Sequence, residues 1–245
     1  MQGIKTVLDM LGEPADDQKE ARSVKEGYES LIKEVIGQKL FSSISIKVSS
    51  LGYVQDQSLC SQYVLEIARE AAARKLGFEL DMEGKSSVDF ILDMARTCKS
   101  NGYPVTMAVQ AYLDRSPKDV ESLLGQGVRV RLIKGAYVGD TDDFVEIQGR
   151  YKKLANTLME SGQSFSLGTH DPELILWSTV KMTEYSDRVE FGMLKGLSDR
   201  TKLEFVKNKW HVSEYVPFGS NRAAYEARRL QYIKYLEHKG RTPAP

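Results

Sequence analysis

Short apolar runs alternate with longer amphipathic stretches along the whole chain. Thr6–Leu11 reads as a strand, and apolar positions then recur at helical spacing over about Ala15–Ile36. The couplet repeats. Ile44–Val48 precedes a helix over about Ser58–Lys75, and Phe78–Met82 precedes one that Ser86 or Ser87 would cap. Pro104–Gln110 leads to a helix opening at Ser116-Pro117, where a proline suits the first turn. Val128–Lys134 leads to Asp143–Glu160, Ser164–Gly168 to a helix opening at Asp171-Pro172, and Arg188–Gly192 to one near Asp199–Lys207. Val212–Val216 is the eighth strand, followed by a turn at Pro217–Asn221 with Ser220 as N-cap, and then a last helix that runs to Leu236.

Eight strand–helix units at a spacing of roughly 30 residues imply a parallel sheet, because parallel strands need crossover connections. In a chain of 245 residues they fit a closed (β/α)8 barrel, the TIM-type fold. The alternative, an open doubly wound sheet, would carry a glycine-rich phosphate turn after its first strand, where this chain has Gly12-Glu13-Pro14. No linker or low-complexity stretch interrupts the pattern, so a single domain over 1–245 is expected.

Charge narrows the partners. Acidic and basic residues balance at 34 each, with no basic stripe, which argues against a nucleic-acid partner. Cys60 and Cys98 stand far apart, without metal-ligand spacing. The start lacks a signal-peptide pattern, and no run approaches the roughly 20 apolar residues of a membrane span, so a soluble cytoplasmic protein is expected.

In such a barrel the site lies at the C-terminal ends of the strands. The residues there are Glu13, Lys47, Asp81, Gln110, Arg131 with Lys134, Thr169 with His170, Leu194 and Tyr215. In the last helix Tyr225, Arg228 and Arg229 stand at i, i+3 and i+4, which puts one ring and two guanidinium groups on one face. Standing alone, that face reads most simply as a solvated basic stripe. Beside the strand ends it gives an excess of cations suited to a carboxylate or a phosphate-bearing cofactor, with Glu13 and Asp81 as counter-charges. Metal hydrolysis fits poorly, since of three histidines only His170 falls at the right end. Lys47 or Lys134 as a Schiff-base nucleophile, in a cofactor-free lyase or aldolase, stays open, as does a non-catalytic barrel that binds a small carboxylate.

Taken in order, several stretches resemble one family: Asp9-Met-Leu-Gly-Glu13, Ile44-Ser-Ile-Lys-Val-Ser-Ser50, Leu80-Asp-Met-Glu83, Ala108-Val-Gln-Ala-Tyr112, Val130-Arg-Leu-Ile-Lys-Gly-Ala-Tyr137, Gly168-Thr-His170, Phe191-Gly-Met-Leu194, Tyr215-Val-Pro-Phe-Gly219 and Tyr225-Glu-Ala-Arg-Arg-Leu230. The chain resembles the catalytic domain of proline dehydrogenase, in its short monofunctional form, over nearly its whole length. The resemblance implies a distorted (β/α)8 barrel with FAD across its mouth and the last helix over that mouth. It implies oxidation of L-proline to pyrroline-5-carboxylate, with electrons passed to a quinone-type acceptor and any membrane contact peripheral, at the inner membrane. Arg228 and Arg229 would grip the proline carboxylate, with Lys47 as a third cation. Tyr137, Leu194, Tyr215 and Tyr225 would wall the ring, Asp81 would support the polar cluster, and Glu13 would pair with Arg228 to gate the site. Arg131 would bond the flavin's reactive nitrogen. Ala108, Gln110, Ile133, Lys134, Gly135, Ala136, Tyr137, Thr169, His170, Leu194 and Arg229 would complete the FAD contacts. The chain departs from many relatives at Tyr232, where they carry an acid, and at Val138, where some carry a tryptophan.

Overall fold

The computed structural model describes residues 3–12, 14–219 and 223–240. Eight parallel strands close into a barrel in chain order: β1 (Ile4–Met10), β2 (Ser42–Ile46), β3 (Gly77–Leu80), β4 (Thr106–Gln110), β5 (Arg129–Ile133), β6 (Phe165–Gly168), β7 (Val189–Leu194) and β8 (His211–Phe218). β1 closes the ring against β8, with Val7 opposite Tyr215. A helix follows each strand: α1 (Gln18–Gly37), α2 (Gln57–Ala73), α3 (Val88–Ser100), α4 (Ser116–Gly125), α5 (Phe144–Glu160), α6 (Pro172–Lys181), α7 (Asp199–Lys207) and α8 (Ala223–His238).

Side-chain alternation splits the strands into two faces. The outward face is apolar: Ile44, Phe78, Leu80, Met107, Val130, Leu132, Phe165, Leu167 and Phe191 are buried against helix residues such as Ile32, Ile67, Ile91 and Leu154. The inward face is polar over much of its height, unlike the branched aliphatic layers that usually fill such barrels. Lys5 reaches across the interior to Glu190 at 2.8 Å and to Glu79 at 3.8 Å. Arg129 lies 3.5 Å from Glu190, and the Ser43 and Ser213 hydroxyls donate to Glu79 and Glu190 at 2.8 Å. Each interior carboxylate thus has opposite charges and at least one neutral donor, the condition under which buried charge is tolerated.

Helix starts follow local chemistry. Asp17, Asp56, Asp143 and Asp171 each accept from a backbone N–H in the first turn of α1, α2, α5 and α6. Ser87 precedes α3 without a side-chain capping bond, because a short 3-10 turn over Lys85–Ser87 leads into that helix and the Ser87 hydroxyl donates back to the Gly84 carbonyl. The expected turn at Pro217 and Phe218 is instead the end of β8, paired with Asp9 and Met10. β8 outruns β7, whose register with it ends at Leu194 opposite Tyr215. By alternation Pro217 faces the side that β7 has left, so its missing N–H costs no ladder bond. Ser220 and its capping role lie outside the described residues.

Candidate active site

The strand ends and α8 enclose a cavity of about 450 Å3 at the C-terminal mouth. Of the residues expected to form the site, Lys47, Asp81, Ala108, Arg131, Ile133, Lys134, Gly135, Ala136, Tyr137, Thr169, His170, Leu194, Tyr215, Tyr225, Arg228 and Arg229 line it together. Glu13 lies outside the described residues, and so does its proposed pairing with Arg228. Gln110 stands behind the wall. Its amide donates to the Glu83 carbonyl at 3.1 Å and accepts from Ala136 N–H at 3.2 Å and the Tyr112 hydroxyl at 2.7 Å.

The floor holds a compact polar cluster. Lys47 Nζ lies 2.6 Å from Asp9, 3.0 Å from Asp81 and 3.1 Å from the Tyr215 hydroxyl. Tyr215 donates to one oxygen of Asp81, and Ser45 donates to the other at 2.8 Å. Burial opposes the Lys47 ammonium, but Tyr215, Asp81 and Asp9 outweigh it and hold the group well above the ordinary lysine value. A lysine kept protonated is a poor nucleophile, which counts against the Schiff-base reading for Lys47. Burial raises Asp9 above the usual carboxylate range, Lys47 partly offsetting it, whereas Lys47 and the Tyr215 hydrogen bond hold Asp81 below that range despite its burial. Lys134, the other candidate, is buried 3.1 Å from Asp171 and sits over the Phe144 ring at 4.1 Å.

Arg131 points from β5 into the barrel and ion-pairs with buried Glu79, yet its Nε has no hydrogen-bond partner. Beside it the lining is bare of side chains, because Gly168 and Gly192 pair across β6 and β7. A Cβ on Gly192 would stand in ordinary contact, 3.8 Å, from Arg131 Nε. After β5, the loop through Gly135 and Ala136 folds over Tyr112, whose hydroxyl accepts Tyr137 N–H at 2.8 Å. Gly135 has φ +144°, and a Cβ there would fall 1.6 Å from the Tyr112 ring, so only glycine fits.

His170 accepts the Leu194 N–H on Nε2 at 2.9 Å and so carries its proton on Nδ1, 3.1 Å from Ser198 Oγ. Burial, reinforced by Lys202 and Arg229, lowers its pKa to about 4, so the ring is neutral near pH 7. Tyr232 stands edge-on to it with centroids 6.5 Å apart. Over the mouth, Tyr225 and Arg229 are half-buried and Arg228 is exposed. Among the described residues neither arginine makes an ion pair; burial pushes the Tyr225 hydroxyl up, and Arg229 beside it opposes that. Two guanidinium groups on one helical turn, without counter-charges among the described residues, suit a carboxylate.

Asp9, Glu79 and Lys202 also belong to the polar groups at and beneath the site, beyond those expected from the sequence. Asp9 and Glu79 each stand two residues from an inward-facing position, Val7 and Asp81, so strand parity marks them as inward too. Among the described residues no group of His, Cys, Asp and Glu is arranged to hold a metal ion, and no helix is long and apolar enough to cross a membrane.

The proline utilization A protein of Bdellovibrio bacteriovorus, solved after inactivation by N-propargylglycine, superposes with a TM-score of 0.84 over 93% of this chain at 21% identity. That of Bradyrhizobium japonicum gives 0.82 over 92% at 24%. This chain spans only 30% and 28% of those two proteins, and at such identity the likeness shows the barrel fold. Proline dehydrogenase 2 of Bacillus subtilis is 29% identical over 94% of this chain and 78% of its own length. Proline dehydrogenase of Deinococcus radiodurans is 28% identical over 93% and 77%. The family model described as proline dehydrogenase matches residues 1–232, and with the barrel, the floor cluster and the paired arginines in place, the chain belongs to the proline dehydrogenase family.

Proposed function

We propose that this chain is a flavin-dependent proline dehydrogenase that oxidises L-proline to pyrroline-5-carboxylate with FAD and passes the electrons to a quinone-type acceptor. Family membership supports an oxidoreductase acting on proline, the first step of its catabolism. The observation that carries the finer reading is the pairing of Arg228 and Arg229, without counter-charges among the described residues, over a cavity walled by Tyr137, Leu194, Tyr215 and Tyr225. Proline offers a carboxylate to the cations and a carbon ring to the apolar wall.

The residues present fit FAD. The unsatisfied Arg131 Nε is a buried donor aimed at the cavity, and the side-chain-free surface at Gly168 and Gly192 leaves room for a flat ring system. Arg131, Lys134, Gly135, Ala136, Thr169 and His170 would hold the group, with Ala108 and Ile133 as apolar contacts and Gln110 bracing the loop from behind. When bound, FAD supplies the two-electron acceptor that the side chains lack. The chain's own part is binding and electrostatics. Arg228 and Arg229 orient the carboxylate, the aromatic wall excludes water from the ring, and Lys47 with Asp81 fixes the Tyr215 phenol. The Arg131 guanidinium favours extra electron density at the edge it faces. Any membrane contact in reaching the acceptor is peripheral in this reading. The test is reduction of a dye acceptor by the purified, flavin-loaded protein with L-proline. A loaded protein that reduces no acceptor with proline overturns the proposal.

A further inference from the structure

Leu194 is gripped from outside its own strand on both backbone groups. Its N–H donates to His170 Nε2, and its carbonyl accepts from Lys202 Nζ, each at 2.9 Å. Lys202 comes from α7 and is 1% exposed, rare for a lysine. Its other hydrogens go to Asp199 at 2.8 Å and Glu214 at 2.7 Å, so all three donors of the ammonium are used. Glu214 precedes Tyr215 on β8, and Lys195 N–H donates to the Tyr215 carbonyl at 2.9 Å. One buried ammonium therefore ties the end of β7 to the end of β8, at the two positions that carry Leu194 and Tyr215 into the cavity. Packing alone would not need a charge here, since an apolar side chain of similar volume avoids the desolvation cost. The Leu194 carbonyl also accepts the Leu197 N–H at 3.2 Å, so what the ammonium adds is a second, shorter bond that reaches it from α7.

We propose that Lys202 is a positioning residue that fixes how far Leu194 reaches into the cavity, and thereby sets the ring size the site accepts. The proposal rests on the reading of Leu194 as a wall of the proline pocket. It is tested in FAD-loaded enzyme by comparing the KM for proline with the inhibition constant of piperidine-2-carboxylate, the six-membered homologue. A misplaced methylene in an apolar pocket is worth about 10–200-fold, so loosening the wall is expected to reduce the preference for the smaller ring about tenfold. The informative variant is Lys202→Met with Glu214→Gln, which removes the ammonium without leaving its buried carboxylate partner charged; the other partner, Asp199, is exposed to solvent. Lys202→Gln, whose shorter amide withdraws from Leu194, is the milder form should the double variant not fold, and it shifts the ratio in the same direction. Glu214→Gln alone keeps the bond to Leu194 and is expected to lose stability while keeping the preference. Leu194→Ala enlarges the wall directly. If Leu194→Ala relaxes the preference while the Lys202 variants retain it, Lys202 is only a strut and the proposal is overturned. If Leu194→Ala also retains it, the wall reading fails and the proposal with it.

Discussion

At Arg228 and Arg229 the central question is what the guanidinium groups pair with. Each Arg→Met substitution removes a charge-assisted hydrogen bond, which contributes roughly 1.5–3 kcal/mol, so the KM for proline should rise by about one to two orders of magnitude. The two losses need not add, because in the proposed clamp both groups hold one ligand. Steady-state kinetics with a dye acceptor check this, alongside the flavin spectrum of each variant; unchanged saturation in both would remove the clamp. Deeper in the barrel, Glu79→Ala strands the Arg131 charge at a buried site. Breaking such a pair costs about 3–5 kcal/mol, readable by denaturant unfolding, and Arg131→Met added to Glu79→Ala should recover part of it. An unchanged midpoint for Glu79→Ala would show that the pair contributes nothing. Arg131 was legible in the sequence because strand ends point into the mouth, and Arg228 with Arg229 because helical spacing puts them on one face with Tyr225. Glu79 was not, because it stands below the rim, and Lys202 was not, because nothing local separates a helix lysine bound to a distant strand from a solvated one.

Among the elements, the eight couplets were readable because apolar runs and amphipathic helices alternate so regularly, and the boundaries moved by only a few residues. At the end of β8 Pro217 signals a turn locally, and only the register with β1 and the earlier end of β7 make it a strand. The loop after β5 gives a sharper test. Gly135→Ala asks for a positive φ that alanine rarely adopts and places a methyl inside the Tyr112 ring. The loop through Ala136 and Tyr137 must then leave its bonds to Gln110 and Tyr112. The expected outcome is a barrel with normal far-UV circular dichroism that retains far less flavin per chain after gel filtration. Full retention would mean that this loop does not hold the cofactor.

For the molecule as a whole, the polar interior makes stability depend on pH. His170 is lowered to about 4 from an unfolded value near 6.5, so its contribution is complete above about pH 6.5 and is lost as pH falls through 4. The ceiling is about 3 kcal/mol. Protonation also ends the acceptance of the Leu194 N–H. Glu190 is held at about 2, below its ordinary 4.5, by Lys5 and Arg129 against its burial, so its contribution is present above pH 4.5 and disappears towards pH 2. The melting temperature should therefore fall in two stages on acidification. His170→Asn should flatten the first and leave the second. An identical pH profile in the variant would show that His170 does not carry the upper stage. The closed barrel was legible from the count and order of its units, but its charged interior was not, because the ion pairs join strands far apart in sequence.

The proposed activity requires that the cavity bind a flavin that proline reduces. The direct measurement is anaerobic titration of the purified, FAD-reconstituted protein with L-proline, followed by visible absorbance. The expected result is a yellow protein whose flavin bands bleach with saturable dependence on proline, and at higher proline concentrations in Arg228→Met and Arg229→Met. A protein that takes up no FAD, or whose bound flavin stays oxidised at saturating proline, would contradict the account.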